Sequence, residues 1–428
     1  MGVYLLPSKF NTNREFFNAI SNDYERFSIE GVPENIESYI LEKYKIDISS
    51  KYGELNIKNP FGIASGQLST NIKQIENGIR DGIGFIVLKT VISEDGLGNS
   101  SMEDWKVDAP KMVIEEIKSQ RGEIGYTTTW KGRGWHKNFA EYLEFMEKSL
   151  LLSKGSCVPV IPSCKFNLPE SREQNFRDEE YRYTLGEFLK IWKGTIGSSN
   201  MYIEKDFSPT LAGSSMSKVK DTILRWLNDV PGKIREFSPD NKIFLGVKLM
   251  NTIFDDEFQI EMFKTILNSK GSPDYLVCSN RLFDSEKVFE GKKGVAYGGY
   301  DLSDRNLSVL SALRRLERSG EIKGKEVPIS ATGNICSGKM MLEYALRGCQ
   351  NGQIHTYFQI PYENYKMRKG SRVAKALLEL MINPETGLVA GLQYLYEKGI
   401  LKKQDGIIKF EEVVDIHRHQ ILIDGDED

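Results

Sequence analysis

The sequence has few of the residues that build covalent or metal-bound frameworks. Its 428 residues include five cysteines and four histidines. The number of cysteines is odd and no two of them have the CxxC spacing, so a disulfide framework, a zinc site and an iron–sulfur ligand set within the chain are all poorly supported. We therefore expect no bound metal. Reduced thiols in a cytoplasmic protein are the simplest interpretation.

Long apolar runs and an excess of one charge are also absent. No run approaches the ~20 apolar residues that a membrane helix needs, and the first residues have too short an apolar stretch, without a basic region, for a signal peptide. Lysine and arginine total 57 and aspartate and glutamate total 60, for a net charge of −3. This near-balance argues against a nucleic-acid binder held by a large basic face. We expect a soluble protein without a membrane span.

Short β-branched runs alternate with amphipathic helical patterns through most of the chain. This alternation requires parallel crossovers, so it predicts either a doubly wound sheet or a (β/α)8 TIM barrel. About eight strands are predicted, a number that favours the barrel. The candidate strands are 61–65, 84–90, 158–163, 201–207, 242–249, 274–279, 327–333 and 351–357.

The pattern divides the chain into a barrel with additions at both ends. Residues 1–50 predict an N-terminal helical extension, and 51–360 the barrel. Residues 165–200 are long and polar, so we interpret them as a helical insertion. Residues 361–428 predict a C-terminal helical tail with a frayed acidic end. Its histidines His417 and His419 could chelate a metal, but a solvated tail is the simpler interpretation.

Chemistry in such a fold lies at the carboxyl ends of the strands. The first strand ends in small residues, Ala64-Ser65-Gly66, which allow backbone to approach a flat ligand. The second strand ends in Lys89-Thr90, and the fifth ends in Lys248, each after an apolar run. Two lysines at equivalent positions indicate an anionic or electron-rich ligand.

Glycine-containing turns follow the later strands. Thr332-Gly333-Asn334 and His355-Thr356 end the last two strands, and Tyr297-Gly298-Gly299 adds a third glycine turn. Turns of this kind present backbone amides to a phosphate at a helix start. Together with the two lysines they predict a phosphate-bearing ligand.

Six motifs occur in an order that resembles the FMN-binding barrels of the dihydroorotate dehydrogenase and dihydropyrimidine dehydrogenase superfamily. The resemblance runs from about Leu55 to Phe358. It rests on NPFGIASG (59–66), GFIVLKTV (84–91) with Gly98-Asn99, GVKL (246–249), LVCSN (276–280), YGG (297–299) and SATGNICSG (330–338). The resemblance implies an FMN-dependent oxidoreductase that oxidises dihydroorotate or a similar dihydropyrimidine.

The resemblance also implies roles for individual residues. Those against the flavin ring would be Ala64, Ser65, Gly66, Lys89, Thr90 and Lys248, with Lys89 also near the substrate and Lys248 at the pyrimidine-like edge. Contacts around the ribityl chain and phosphate would come from Gly298, Gly299, Gly333, Asn334 and Thr356. Asn280 would bind the substrate. A cation at the pyrimidine-like edge stabilises negative charge on the reduced flavin.

The catalytic base of this family is a cysteine or serine after the fourth strand. The proline-anchored alignment of Glu204–Thr210 makes Ser208 the base and places Lys205 and Thr210 at substrate-binding asparagine positions. The glutamate-anchored alignment instead places Asp206 at the asparagine and leaves no base. We prefer the first, and a proline-fixed turn without catalytic function is the third interpretation.

Several departures from the family pattern leave the substrate open. Asn334 and His355 stand where the family has glycines, and a left-handed backbone would suit asparagine better than histidine. The loop 127–138, with Trp130, Arg133 and Trp135, either closes over a ligand or is a surface loop with packed tryptophans. A different small cyclic or unsaturated substrate and a non-redox binding module therefore stay as alternatives. We expect a soluble electron acceptor or partner subunit, and a homodimer.

Overall fold

The computed structural model describes most of the chain. The described residues are 3–102, 111–118, 124–131, 134–169, 171, 173–197, 199–207, 220–238, 243–289, 292–299, 302–322 and 326–419. Ser208, Thr210 and Arg133, which the sequence analysis singled out, lie outside these ranges. The account below concerns the described residues alone.

Strands and helices alternate along the described chain. In chain order the strands are β1 (Ile46–Asp47), β2 (Ser50–Tyr52), β3 (Leu55–Ile57), β4 (Phe61–Ile63), β5 (Phe85–Val87), β6 (Val91–Ile92), β7 (Lys111–Lys118), β8 (Ile124–Lys131), β9 (Val160–Ile161), β10 (Ser163–Lys165), β11 (Met201–Asp206), β12 (Ile243–Met250), β13 (Tyr275–Asn280), β14 (Leu282–Phe289), β15 (Lys292–Gly299), β16 (Ile329–Thr332), β17 (Cys349–Ile354) and β18 (Ile408–Lys409). The helices are α1 (Arg14–Glu30), α2 (Ile36–Tyr44), α3 (Ile72–Arg80), α4 (Phe139–Ser156), α5 (Asp178–Thr195), α6 (Lys220–Glu236), α7 (Asp256–Leu267), α8 (Ser303–Ser319), α9 (Gly338–Ala345), α10 (Arg372–Ile382), α11 (Leu388–Glu397) and α12 (Phe410–Asp415).

A curled sheet of ten parallel strands forms the centre of the fold. Its order is β6-β10-β11-β12-β13-β16-β17-β4-β5-β9. Each of the eight predicted strands contains or overlaps a strand of this sheet, so the predicted α/β class is confirmed. The strands are almost wholly buried because helices connect successive strands and cover the sheet.

The ends of this strand order belong to the same two segments of chain. β5 and β6 are separated by three residues, and β9 and β10 by one. β5 pairs with β9 through Ile86 and Val160, and β6 pairs with β10 through Val91 and Cys164. The segment that contains β5 and β6 therefore pairs with the segment that contains β9 and β10 at two places, one before and one after the short break in each segment.

The helix α5 lies within the segment interpreted as an insertion. It follows β10 and precedes β11, and these two strands are parallel neighbours in the sheet. It packs against α4 and α6, the preceding and following helices. The helix therefore occupies the position of an ordinary crossover connection.

A second, antiparallel sheet was not predicted from the sequence. Its order is β14-β15-β8-β7. The glycine turn predicted at 297–299 was wrong, because these residues end β15 and pair with Thr127–Thr129 of β8. A methyl group on Gly299 would lie 2.7 Å from the carbonyl oxygen of Tyr126. Glycine is needed here for close approach of two strands, so no turn is required.

The two terminal regions are joined to each other. β1 pairs in parallel with β18, so residues from the N-terminal extension and the C-terminal tail share a small sheet. Tyr24 in α1 donates a 2.6 Å hydrogen bond to Glu379 in α10. His417 was expected in a solvated tail, which was wrong: its ring is buried and lies 2.8 Å from a carboxylate oxygen of Glu326.

Gly338, the first residue of α9, lies very close to the backbone of the C-terminal tail. A methyl group there would lie 1.9 Å from the backbone nitrogen of Leu388 and 2.5 Å from the carbonyl oxygen of Leu380. Backbone atoms of packed helices cannot move as a flexible side chain can. We expect Gly338→Ala to lower the free energy of unfolding by about 2 kcal/mol or more, measured by urea denaturation.

Gly186→Ala is the matched control for this change. Gly186 lies inside α5, and no atom stands within 4 Å of the added methyl group. Because alanine favours a helix more than glycine does, this variant should gain about 0.5–1 kcal/mol. Equal effects of the two substitutions would contradict the packing described for Gly338.

Candidate functional site

A cavity of about 320 Å³ opens at the carboxyl ends of the parallel strands. The antiparallel sheet forms its other wall through β8 and β15. Nine of the residues predicted to bind cofactor or substrate line it. They are Ala64, Ser65, Lys248, Asn280, Gly298, Gly299, Gly333, Asn334 and Thr356. The fold thus brings together residues from widely separated parts of the sequence.

Four predicted residues do not line the cavity. Gly66, Lys89 and Thr90 belong to the same strand ends and lie behind its wall. Lys205 is completely buried, and its ammonium hydrogen-bonds to the carbonyl oxygens of Phe166 at 3.5 Å and Asp206 at 3.3 Å. Burial and the charge of Lys165 lower the pKa of Lys205 to about 7.

Lys89 stands in a cluster of buried charges. Its side chain is 3% exposed, and Lys165 and Arg281 are also buried. Burial, followed by the charge of Arg281, lowers the pKa of Lys89 to about 7, although Asp206 opposes the shift. Burial likewise lowers the pKa of Lys165 to about 8, against the attraction of Asp206. Within the described residues no hydrogen bond or ion pair holds the Lys89 ammonium.

Hydroxyl groups connect this cluster to the cavity wall. The Thr90 hydroxyl lies 2.8 Å from that of Ser65 and 2.9 Å from that of Ser163, and it donates to Asp206 at 3.1 Å. Lys165 completes the group with an ion pair of 3.4 Å to the same carboxylate oxygen. These contacts fix the Asp206 carboxylate between the cavity wall and the buried lysines.

Lys248 reaches the cavity from β12. Its ammonium donates to the side-chain oxygen of Gln353 at 3.4 Å. Gln353 in turn donates to Glu204, which also accepts a hydrogen bond from Tyr52. Burial raises the pKa of Glu204, and the charge of Lys248 opposes that shift. Lys248 is therefore held by a polar network inside the sheet and is one of the residues that line the cavity.

The turn after β16 has a left-handed backbone conformation at Gly333 and Asn334, which suits these two residue types. Gly333 has φ of +107° and Asn334 of +51°, so the expectation that asparagine would accommodate a left-handed position is confirmed. A methyl group on Gly333 would lie 2.7 Å from the side-chain nitrogen of Asn306. The Asn334 amide donates to the Ser303 hydroxyl at 2.9 Å. The turn therefore combines a left-handed backbone with side-chain support.

His355 fills the space that Gly66 leaves. A methyl group on Gly66 would lie 2.5 Å from the His355 ring. The ring nitrogen Nε2 accepts a 3.3 Å hydrogen bond from the backbone of Gln67 and lies 2.9 Å from the Gln359 amide. Burial, with the charges of nearby cations, lowers the pKa of His355 to about 3. The imidazole is therefore neutral and polar at the cavity floor.

The segment 127–138 begins in β8, and the residues of β8 that line the cavity precede it. Ile124, Gly125 and Tyr126 of β8 line the cavity, and Tyr126 accepts a 2.9 Å hydrogen bond from Asn364. Trp135 is 3% exposed and stacks on Phe145, so it belongs to the packed core. Of the two interpretations of this segment, Trp135 follows the one with packed tryptophans.

Sequence reasoning missed three polar residues of the site: Lys165, Arg281 and Gln353. Lys165 ends a buried strand after an apolar run, which is the signal that identified Lys89 and Lys248. Gln353 is one of three amide residues in a largely buried strand, with Gln350 and Asn351. Arg281 directly follows Asn280 and has a left-handed backbone, for which the sequence offers no signal.

The comparisons with known proteins do not identify a relative. Neither the family models nor the curated proteins include a match to the chain. In the described ranges, no helix is both long and apolar enough to cross a membrane. The histidine, cysteine and acidic side chains of those ranges form no group that could hold a metal ion. The site must therefore be interpreted from its own geometry.

The lowered pKa of Lys89 predicts a pH-dependent cost to stability. Because its pKa falls from about 10.5 to about 7 on folding, the full cost of burying the ammonium applies below pH 7 and disappears as the pH rises towards 10.5. Lys89→Met should raise the free energy of unfolding on the order of 1–4 kcal/mol at pH 6.5, and by less at pH 9.5. Urea denaturation at the two pH values measures both.

Lys193→Met provides the control, because Lys193 is exposed on α5. It should change stability little at either pH. A gain from Lys89→Met that is the same at pH 6.5 and 9.5 would show that the ammonium is charged in the folded protein throughout this range.

Proposed function

We propose that this chain is an FMN-dependent oxidoreductase of the dihydroorotate dehydrogenase type, which oxidises dihydroorotate or a similar dihydropyrimidine. One observation carries the proposal: nine residues assigned to cofactor or substrate by the family resemblance converge on one cavity. They come from six segments of the sequence, and their convergence was not imposed by the alignment. A volume of about 320 Å³ also lies in the range of ligand pockets.

We further infer that the ten parallel strands are the eight staves of a (β/α)8 barrel. The supporting observation is the double pairing across the two breaks, β5 with β9 and β6 with β10. β5 and β6 would be two parts of one stave, and β9 and β10 two parts of another. Counted in this way, the ten strands make eight staves. In this arrangement the cavity lies at the end of the barrel where catalytic residues are found.

The cavity has the features that FMN would need. Gly299 and Gly333 line the cavity without a side chain, so their backbone can approach a ribityl chain or phosphate. Lys248 lines the cavity and brings a cationic side chain to it. FMN, when bound, would supply the acceptor for a hydride. The part of the protein would be to place Lys248 beside the electron-rich edge of the ring and stabilise negative charge there.

The charge balance favours an anionic ligand. Lys89, Lys165, Lys248 and Arg281 are buried around the strand ends, where Asp206 pairs with Lys165 and Glu204 interacts with Lys248. Burying a charge is costly, and anions in the cavity would offset part of the cost of these four cations. A phosphate and a substrate carboxylate would provide such anions.

A second candidate is an FMN enzyme of the same kind with a different substrate. Lys205, placed at a substrate position by the proline-anchored alignment, is bound to backbone carbonyl groups away from the cavity. Asn280 is the predicted substrate residue that lines it. A grip on dihydroorotate through several asparagines therefore lacks support, and another small cyclic compound fits as well.

The proposal also covers the compartment, the electron acceptor and the oligomeric state of the enzyme. We propose a cytoplasmic protein that passes electrons to a soluble acceptor or partner subunit and forms a homodimer. All five cysteines have free thiols, which is typical of proteins in a reducing compartment.

An anaerobic visible spectrum tests the function. The purified protein, supplied with FMN, should show a flavin spectrum that bleaches when dihydroorotate is added. A flavin spectrum that does not bleach would favour the second candidate. A protein that takes up no FMN would overturn both.

Lys248→Ala should weaken FMN retention or slow flavin reduction, because it removes a cationic side chain that lines the cavity. Flavin content after gel filtration and the rate of bleaching are the two measurements. Lys193→Ala, at an exposed position of α5, is the matched control and should leave both unchanged. Normal retention and reduction in Lys248→Ala would contradict the assignment of Lys248 to the flavin ring.

Ser208→Ala tests the proline-anchored alignment. Removal of a general base should slow substrate oxidation by about 10²–10⁴-fold while FMN stays bound. Stopped-flow reduction under anaerobic conditions measures the rate, and the flavin spectrum confirms occupancy. A variant as fast as the parent would move the proton transfer to another group.

A further inference from the structure

The segment before α1 is bound to the two helices that flank the turn after β16. Tyr4 contacts the first turn of α8, through Ser303 and Asp304. The Tyr4 ring also lies under the ammonium of Lys339 in the first turn of α9, at 5.0 Å. The N-terminal residues therefore reach the elements that support one wall of the cavity.

A buried ion pair holds this segment in place. Glu343 of α9 accepts hydrogen bonds from the backbone nitrogens of Leu5 at 3.1 Å and Leu6 at 2.7 Å. Arg347 forms a 3.0 Å ion pair with Glu343 and donates to the carbonyl oxygen of Val3 at 2.7 Å. Both charged side chains are almost completely buried. Because a buried pair is costly to leave incomplete, the backbone of residues 3–6 is firmly located.

Tyr4 ends a chain of hydrogen bonds that begins at the cavity. The Asn334 amide donates to the Ser303 hydroxyl at 2.9 Å. The Ser303 hydroxyl lies 2.9 Å from that of Tyr4, which donates to Asp304 at 2.7 Å. With Ser303 donating to Tyr4, every proton of the chain points towards the Asp304 carboxylate. Such aligned chains strengthen their members cooperatively.

Asn334 is the residue through which this chain can act on a ligand. It lines the cavity, and its left-handed backbone follows Gly333 in the turn after β16. A turn held from behind by its own side chain keeps its backbone amides in one orientation. Loss of the support would allow the turn to move and would weaken a group that these amides bind.

We propose that Tyr4 is a positioning residue for the phosphate group of the bound flavin, acting through Ser303 and Asn334. This inference rests on the proposed function, because it takes FMN as the ligand. It gives the N-terminal extension a specific role in cofactor binding. The contact with the phosphate belongs to the turn, and Tyr4 sets the position of that turn.

Titration of flavin-free protein with FMN and with riboflavin tests the inference. Riboflavin has the same ring and ribityl chain but no phosphate. Tyr4→Phe keeps the ring beside Lys339 and removes the hydroxyl from the chain. We expect FMN to bind about 2- to 10-fold more weakly to Tyr4→Phe, as for loss of one hydrogen bond. Riboflavin should bind equally to parent and variant, as measured by quenching of flavin fluorescence.

Tyr24→Phe is the matched control, since it removes a hydroxyl that bonds to Glu379 in the contact between α1 and α10. It should bind both flavins as the parent does. Ser303→Ala supplies a second test by interrupting the chain. Tyr4→Phe should have little further effect on FMN affinity in the Ser303→Ala background.

The outcomes separate the two proposals. If the parent binds FMN and Tyr4→Phe binds it equally well, the role of Tyr4 is overturned and FMN binding stands. Equal weakening of FMN and riboflavin would overturn it too, because the effect would then be general and not directed to the phosphate. Additive effects of Tyr4→Phe and Ser303→Ala would contradict action through Ser303. A parent that binds neither flavin would overturn the proposed function and this inference together.

Discussion

Desolvation of positive charge at the carboxyl ends of the strands is the constraint on which the rest of the site depends. Lys165 is fully buried, and Lys89 and Arg281 are nearly so. Each would lose much of its hydration, which only counter-charges or hydrogen bonds can offset. Asp206 offsets the charge of Lys165, whereas burial lowers the pKa of Lys89 to about 7. An anionic ligand of the kind proposed for this cavity would offset part of that cost.

The shape of the cavity depends on pairs in which one residue is small because its neighbour is close. Gly66 admits the ring of His355, and Gly299 admits the backbone at Tyr126. The larger residues of the two pairs, His355 and Tyr126, both line the cavity. Polarity and volume are therefore set together: His355 occupies space and presents a neutral imidazole where its own charging is opposed by surrounding cations.

Much of the fold could be predicted from the sequence, because buried parallel strands are short apolar runs between amphipathic helices. The antiparallel sheet could not, since the glycines of β15 are typical of a turn and only pairing with β8 makes them a strand. Site residues at strand ends, such as Lys248 and Asn280, followed from their positions in the motifs. Arg281 could not be found this way, because its burial depends on tertiary contacts that no local pattern encodes.

The alternation of side chains along β11 concerns the group that would accept a proton in the proposed oxidation. Side chains alternate along β11, so Glu204 and Asp206 share one face and Lys205 takes the other. Glu204 bonds to Gln353 and Asp206 to Thr90, both inside the sheet, and Glu204 is the residue on which the glutamate-anchored alignment rests. That alignment leaves no base after the strand. A general base must lie within hydrogen-bond reach of the proton that it takes, and Lys89, although its pKa is near 7, does not line the cavity.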